Sequence, residues 1–404
     1  MISKIKPFVK KLFGNTKPYC WAAKVKRSIS GSHEMDRRIV TLKPPGPSRG
    51  NVLLSYIIDS FFLKPNDPVI LKHTHYWETR QIAQTWLDLG YAVDVIHWKN
   101  QNFVPEKHYN FFIDVRMNLE RIGPLLNPDC VKIMHIETAH WLFHTAAQHN
   151  RLLDLQRRRH LTIGPRKVVN PNWAIENADC ATILGNDFTR STYAYANKPF
   201  YRIPISAPVV YPWPESKDFT NCCRSYLWFG SGGLVHKGLD LVLEAFAQMP
   251  DYKLTVCGPV NEEKEFERAY NKELYHTPNI HTIGWVDVSS STFTDIMHAC
   301  IGIVYPSCSE GGGGGVITCL HGGLIPLVSY ETSIDVEDFG FILKDSSIGA
   351  IKECVDRVAR LSTQELTERS RKAWEYARNN HTREKFAEVY RTVAEEIIMV
   401  YGRD

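Results

Sequence analysis

A run of five glycines, Gly311 to Gly315, lies between two apolar segments and limits the folds that this chain can adopt. The segment before it, Ile301 to Tyr305, is apolar in the way of a strand buried in a parallel sheet, and the segment after it ends at Gly322 and Gly323, which are typical helix stops. This order predicts a strand, a glycine loop and a helix. Unpaired backbone N–H groups and the positive end of a helix dipole attract an anion in such a loop. A flexible surface turn is the alternative for an isolated glycine run.

Charged residues in this loop and in a second loop indicate which kind of anion the loops would bind. Glu310 stands at the mouth of the glycine run, where a carboxylate would repel a lone phosphate but suits a ligand with both hydroxyl groups and a diphosphate. A second loop, Ser231 to Gly238, follows the predicted strand Ser225 to Gly230, and its Lys237 places an ammonium charge at the start of a predicted helix. Neither loop carries a Walker motif or a dinucleotide-binding fingerprint.

The sequence Pro306-Ser-Cys-Ser-Glu310-Gly, followed by Gly-Gly-Leu-Ile-Pro326, resembles the donor-site signature of retaining GT-B glycosyltransferases of the family 4 type. The resemblance implies an α/β fold in which two Rossmann-like domains face each other across a cleft. It implies that Glu310 contacts hydroxyl groups of the transferred sugar. Thr318 stands at the position of a second family glutamate and would offer one hydroxyl to the ribose. Lys237 would stabilise the departing diphosphate, while Gly232 or its neighbours occupy the family's arginine position.

The same resemblance gives roles to further residues. Trp285 and Val286, at the end of the predicted strand 279–286, stand where the family holds the nucleotide base, largely through backbone, and Trp285 is instead expected to belong to the core. His135 ends the predicted strand Val131 to His135 and His140 follows it, and each is either the histidine that touches the donor sugar or a satisfied core residue. The catalytic candidates are therefore Glu310, Lys237, His135 and His140. The donor-binding candidates are Ser231, Gly232, Gly233, His236, Gly258, Val286, Ser309, Gly311, Gly312, Gly313, Gly314, Gly315 and Thr318.

The length of 404 residues suits two domains of about 200 residues each. The proline-rich stretch Pro208 to Pro214 is the best candidate for the linker between them. Within the first domain, Val69 to Thr74 is predicted as a strand, and His73 to Glu78 is expected to shape the acceptor pocket. The predicted units are a basic amphipathic segment at 1–45, an acceptor domain at 46–214, a donor domain at 215–381 and a last helix at 382–404 that crosses back onto the first domain.

The composition limits which binding partners and which cellular compartment are expected for this protein. The formal net charge of +4 is too small to indicate nucleic acid. The ten cysteines include no C-x-x-C pair, which favours reduced thiols in the cytoplasm. None of the sixteen histidines lies in an H-E-x-x-H motif, so no metal is expected, and no other cofactor is expected either.

The charge is concentrated at the amino terminus. Residues 1–27 carry eight basic side chains and no acidic one, and on a helical wheel their apolar side chains lie opposite the lysines. Such a segment suits the surface of an anionic membrane, and a disordered basic tail is the alternative. No stretch of 18 apolar residues that could span a bilayer is present.

These features predict a hexosyltransferase that moves a sugar from a nucleotide-diphosphate sugar to a glycan or a lipid-linked acceptor in polysaccharide biosynthesis. The resemblance implies retention of the anomeric configuration without an enzyme nucleophile or a metal, and the sequence contains no D-x-D motif. A nucleotide-sugar epimerase of GT-B type and a non-catalytic nucleotide-sugar-binding scaffold are the alternatives. Arg157 to Arg159 is either a solvated helix end or a docking site for a phosphorylated or lipid-linked acceptor.

Overall fold

The structure is a computed structural model that describes residues 37–64 and 67–402. The basic segment at 1–27, with its predicted membrane contact, lies outside the described residues. Within the described ranges, every helix is too short or too polar to cross a bilayer.

The first domain is built on a seven-stranded sheet. Its strands are β1 (Ile39–Leu42), β2 (Asn51–Tyr56), β3 (Ala92–His97), β4 (Phe111–Asp114), β5 (Val131–Ile136), β6 (Cys180–Ile183) and β7 (Phe200–Arg202). Their spatial order is β1-β3-β2-β4-β5-β6-β7, and all neighbours are parallel except β1 and β3. The strand order therefore reverses between β2 and β4, which makes the carboxyl ends of these strands a natural ligand position.

The second domain is built on a six-stranded parallel sheet. Its strands are β8 (Ser225–Phe229), β9 (Lys253–Cys257), β10 (Ile280–Gly284), β11 (Gly302–Tyr305), β12 (Ile325–Val328) and β13 (Phe341–Ile342). They lie in the order β10-β9-β8-β11-β12-β13, which is the order of a doubly wound sheet with its reversal between β8 and β11. Two Rossmann-like domains thus face each other across a cleft, and this prediction is confirmed.

Helices connect the strands of both sheets. Those in the first half of the described chain are α1 (Pro68–Lys72), α2 (Thr74–Asp88), α3 (Asn118–Ile122), α4 (Trp141–Arg159) and α5 (Asp187–Thr192). Those in the second half are α6 (Phe219–Cys222), α7 (Leu239–Ala247), α8 (Lys264–Ala269), α9 (Asn271–Tyr275), α10 (Ser291–His298), α11 (Gly314–His321), α12 (Ile348–Ala359), α13 (Thr363–Asn380) and α14 (Arg383–Tyr401).

The prediction of a strand at Val69 to Thr74 is wrong, because this segment forms α1 and the start of α2. The side chain of Asp67 accepts a hydrogen bond from the N–H of Val69, which caps the helix start. Pro68 occupies the first helical position, where its fixed φ angle favours a helix and its missing N–H costs nothing. These local signals outweigh the β-branched residues that suggested a strand.

Two helices tie the domains together. Although α4 precedes the second sheet in sequence, its Leu155 is buried in the core of the second domain. Arg158 Nη2 donates to Asp240 Oδ2 at 2.6 Å, and Arg159 Nη1 donates to Glu273 Oε1 at 2.7 Å. These two arginines therefore bind the second domain, which argues against the alternative that they dock an acceptor.

The last helix, α14, follows the second domain in sequence but packs on the first domain. Its Phe386 is fully buried in the core of the first domain, together with Tyr390. Trp86 of α2 donates its indole N–H to the Tyr390 hydroxyl at 3.2 Å. Each domain thus receives a helix from the other half of the chain.

Candidate functional site

Two loops meet where the second sheet reverses its strand order. β8 and β11 are hydrogen-bonded neighbours, and open α/β sheets bind ligands outside the carboxyl ends of strands at such a point. The loop after β8 carries Lys237, and the loop after β11 carries Glu310. Residues 73 positions apart in sequence are thereby brought into one site.

Lys237 and Glu310 are joined in a buried hydrogen-bond network. Lys237 Nζ donates to Glu310 Oε1 and to the Tyr305 hydroxyl, both at 2.7 Å. Glu310 Oε1 also accepts from the Tyr305 hydroxyl and from Ser307 Oγ, each at 3.0 Å. Within the part of the chain that the structure describes, Glu310 Oε2 has no hydrogen-bond partner, and the side chain is 19% exposed. This second oxygen is therefore available to a ligand hydroxyl.

The network keeps the Glu310 carboxyl group ionised. Burial by itself would raise the pKa of this group, but the Lys237 charge and the hydrogen bonds from Lys237 and Tyr305 lower it to about 2. Burial and the neighbouring carboxylate raise the pKa of Tyr305 well above its usual value, so its hydroxyl keeps its proton. The site thus presents a carboxylate and a cation in direct contact at neutral pH.

The glycine loop lies at the seam between the two domains. Gly311, Gly312 and Gly313 are buried, and a Cβ atom on Gly311 would clash with the carbonyl group of Glu137 in the first domain. Across residues 37–64 and 67–402, no protein acceptor is bound by the N–H groups of Gly311 to Gly315. These groups stand at the amino-terminal end of α11, where backbone donors and the helix dipole favour an anion.

Two histidines form hydrogen bonds with Ser309, the residue that precedes Glu310. His236 is buried, and its Nε2 donates to the carbonyl oxygen of Ser309 at 2.6 Å. Burial lowers the pKa of His236 to about 3, so its ring is neutral. His144 of α4 donates from Nε2 to the Lys167 carbonyl at 2.7 Å, which leaves Nδ1 to accept from Ser309 Oγ at 3.1 Å. His236 and Ser309 therefore support the loop from within the protein.

The loop after β8 has a partner that the sequence did not predict. Glu263 is buried, and its Oε1 accepts hydrogen bonds from the N–H groups of Gly233 and Leu234, the second at 3.2 Å. A carboxylate therefore occupies the N–H of Gly233, which was expected to hold phosphate, together with that of Leu234. Among the predicted groups of this loop, Lys237 remains for an anion, as do the N–H groups of Ser231 and Gly232, which have no acceptor among the described residues.

A cavity of about 370 Å³ opens beside these loops. Its lining includes Ser231, Gly232, Gly258, Glu262, Trp285 and Val286, of which four were predicted to bind the donor. The expectation that Trp285 belongs to the core is wrong, because its side chain is 71% exposed. β10 ends at Gly284, whose φ of 87° turns the chain out of the sheet before Trp285.

Three predicted side chains are engaged elsewhere. The Thr318 hydroxyl donates to the Gly314 carbonyl of its own helix at 2.9 Å. His135 is fully buried, with Nδ1 2.9 Å from Thr182 Oγ1, and burial lowers its pKa to about 4. His140 caps α4 by accepting from the Leu142 N–H, so its Nε2 carries the proton and donates to the Tyr195 hydroxyl at 3.0 Å. None of these contacts joins His140 to Lys237 or Glu310.

A second polar cluster stands at the carboxyl ends of the first sheet. The Tyr56 hydroxyl donates to Glu137 Oε2 at 3.0 Å and lies 2.9 Å from His75 Nδ1, which is 3.2 Å from Glu78 Oε2. Arg116 pairs with Glu137, and although burial would raise the pKa of Glu137, this arginine lowers it to about 2. Because the Glu137 carbonyl touches Gly311, the cluster adjoins the first site across the seam.

Sequence reasoning missed His144, Glu263 and Lys167, which all surround the two loops. None belongs to a motif, and each is brought to the site by the tertiary packing of α4 or α8 and their flanking loops. Glu263 left a signal, because it lies in the connection that follows β9, and such connections in a doubly wound sheet border the ligand site.

No family model and no curated protein sequence matches this chain. Solved structures do match. Sucrose-phosphate synthase from Thermosynechococcus elongatus is 12% identical with a TM-score of 0.61 over 87% of this chain and 100% of its own. Anabaena Alr3699/HepE with UDP and glucose is 11% identical with a TM-score of 0.51 over 86% and 99%. The glycosyltransferase WaaG is 14% identical with a TM-score of 0.50 over 86% and 99%.

These likenesses concern the fold. They bear out the prediction of a GT-B arrangement, which the neighbouring glycosyltransferases share. The chain also spans only 55% of the length of some longer structures that it matches.

Proposed function

We propose that this protein is a retaining glycosyltransferase of the family 4 type, which moves a hexose from a nucleotide-diphosphate sugar to a glycan or a lipid-linked acceptor without a metal. The observation that carries this proposal is the contact between Lys237 and Glu310, together with the five backbone N–H groups that follow Glu310 and have no acceptor among the described residues. A cation and amides suit a diphosphate, and the free carboxylate oxygen suits sugar hydroxyls.

The chemistry follows from where charge develops. Breaking the bond between the anomeric carbon and the diphosphate leaves positive charge on the sugar ring and negative charge on the departing group. Lys237 and the N–H groups of Gly312 to Gly315, which have no acceptor among the described residues, would stabilise that negative charge more in the transition state than in the ground state. One such donor contributes about 3 kcal/mol to lowering the barrier.

The comparisons support the choice of donor. The Anabaena protein was solved in complex with UDP and glucose, and another structure of the same protein contains UDP-glucose at a TM-score of 0.50 to this chain. The cavity beside Trp285 would take the base of such a nucleotide. The basic segment at 1–27 would hold the enzyme on the cytoplasmic face of a membrane, where a lipid-linked acceptor of polysaccharide biosynthesis would be found.

The substitution Glu310→Gln tests the proposal. UDP-, GDP- and ADP-sugars are first screened by thermal shift, and transfer or hydrolysis of the donor that binds is then measured. We expect Glu310→Gln to lower kcat by about 100-fold or more while the nucleotide still binds, because glutamine can accept the bonds from Lys237 and Ser307 but loses the charge beside the sugar.

Glu388→Gln is the matched control, since this exposed glutamate of α14 pairs with Lys385 at the surface. Full activity of Glu310→Gln would overturn the proposal, and donor binding without turnover by the wild type would favour the scaffold alternative. NMR of the product should show a retained anomeric configuration. Inversion would require a general base, and His75 beside Glu78 would be the group to test.

A further inference from the structure

The Lys237–Glu310 pair carries no net charge toward a diphosphate. The two charges cancel, since the ammonium lies 2.7 Å from the carboxylate. Glu263 adds a further carboxylate, and this carboxylate already accepts hydrogen bonds from two of the nearby backbone N–H groups. A ligand with two or more negative charges would therefore be held more strongly by another cation at this point, in addition to the N–H groups of the glycine loop.

Lys167 lies where that cation would act. A Cβ atom on Gly233 would be 2.6 Å from Lys167 Cγ and 3.0 Å from Cε, so the stem of the lysine runs directly over the loop after β8. Gly233 also has a φ of 89°, which a side chain rarely tolerates. Glycine at this position thus gives the lysine its path into the site.

The backbone of Lys167 is anchored on both sides. Its N–H donates to Gln148 Oε1 at 2.9 Å, and its carbonyl accepts from His144 Nε2 at 2.7 Å. The same His144 ring accepts from Ser309 Oγ, one residue before Glu310. The position of Lys167 is therefore coupled to the glycine loop of the other domain through a single imidazole.

The ammonium group of Lys167 is not satisfied by the protein. Within the described ranges, its Nζ forms no hydrogen bond and no ion pair, although the side chain is half-buried. Burial first, and then the charge of Lys237, lower the pKa of Lys167, while Glu310 acts in the opposite direction. An anion between the two lysines would relieve this repulsion.

We propose that Lys167 binds the diphosphate of the donor from the first-domain side of the seam and acts with Lys237 as the second cation on the leaving group. This inference rests on the proposed function. It assigns a binding residue to the loop after α4, and it makes the diphosphate a bridge between the two domains.

The test compares nucleoside diphosphates with monophosphates. Isothermal titration with UDP, GDP and ADP identifies the nucleotide that the wild type binds, and its monophosphate is then titrated as the reference. Lys167→Met keeps the stem over Gly233 but removes the charge. We expect it to reduce the preference for the diphosphate by about tenfold or more, since a hydrogen bond to a charged group contributes this much. Lys167→Arg should restore part of that preference.

Arg166→Met is the matched control, because it removes the same charge from the adjacent, exposed position. A variant that unfolds would lose both ligands, so thermal unfolding without ligand accompanies each titration. If Lys167→Met keeps the wild-type preference, or loses both nucleotides equally while folded, the assignment of Lys167 is wrong. If the wild type binds none of the diphosphates, the proposed function itself fails.

Discussion

Glu310 concentrates its protein contacts on one oxygen. Oε1 accepts three hydrogen bonds, from Lys237, Tyr305 and Ser307, while Oε2 has none among the described residues. Removing one member of a buried ion pair costs about 3–5 kcal/mol, because the other charge is left uncompensated. The pair thus fixes the orientation of the carboxylate before a ligand arrives, and the free oxygen is what a sugar hydroxyl would meet.

Trp285→Ala should weaken nucleotide binding. The exposed indole lines the cavity beside the phosphate-binding loops, and stacking of a base on an aromatic ring contributes about 1–3 kcal/mol. We expect the dissociation constant of the nucleoside diphosphate to rise by about 5- to 150-fold, as measured by titration calorimetry.

Tyr275→Ala provides the control for this experiment. Tyr275 is another exposed aromatic residue of the second domain, but it lies on α9 and contacts Glu267 through its hydroxyl. Unchanged nucleotide affinity in Trp285→Ala, or an equal loss in Tyr275→Ala, would show that the indole does not contact the base.

At the residue scale, short-range motifs were predictable and long-range contacts were not. Lys237 and Glu310 were found from loops that follow strands, and the structure joins them. The burial of His135 inside β5 depends on what packs on that strand, and the exposure of Trp285 depends on the turn at Gly284, neither of which a local pattern encodes. Lys167 could not be predicted because α4 packs on the domain that follows it in sequence.

The glycine loop acts as a contact surface between domains as well as an anion site. Gly311→Ala should destabilise the protein, because its Cβ atom would clash with the carbonyl of Glu137 and lie 2.5 Å from Thr138 Cα, and neither backbone can move without shifting a domain. Overpacking of this kind costs about 1–3 kcal/mol, which thermal unfolding would detect as a lower Tm.

Gly315→Ala is the control within the same loop. Its nearest neighbour would be the Phe229 carbonyl at 3.4 Å, an ordinary contact, and alanine is favoured over glycine in a helix such as α11. We expect its Tm to equal or exceed that of the wild type. An equal loss of stability in both variants would mean that the domain contact at Gly311 contributes nothing.

At the element scale, the predictions failed where capping overrode composition. Val69 to Thr74 has the β-branched residues of a strand, yet Asp67 and Pro68 start a helix there. The three arginines that end α4 suggested a docking surface because sequence does not show their partners. Asp240 and Glu273, which bind two of them, lie more than 80 residues away.

At the scale of the whole molecule, the two domains are crossed by helices in both directions. α4 leaves the first sheet and buries Leu155 in the second domain, while α14 leaves the second and buries Phe386 in the first. The two-domain layout was predictable from the glycine-loop motif and the alternation of strands and helices. The crossing of α4 was not, and it is this crossing that carries His144 and Lys167 to the seam.

The Lys237–Glu310 pair and the amides of the glycine loop are proposed to bind a nucleotide-diphosphate sugar together. A crystal structure of the complex with the nucleotide sugar selected by thermal shift tests this most directly. We predict that the diphosphate lies within about 3.2 Å of Lys237 Nζ and of N–H groups between Gly312 and Gly315, with a sugar hydroxyl on Glu310 Oε2. A nucleotide sugar bound elsewhere, or with its diphosphate turned away from the glycine loop into solvent, would contradict the claim.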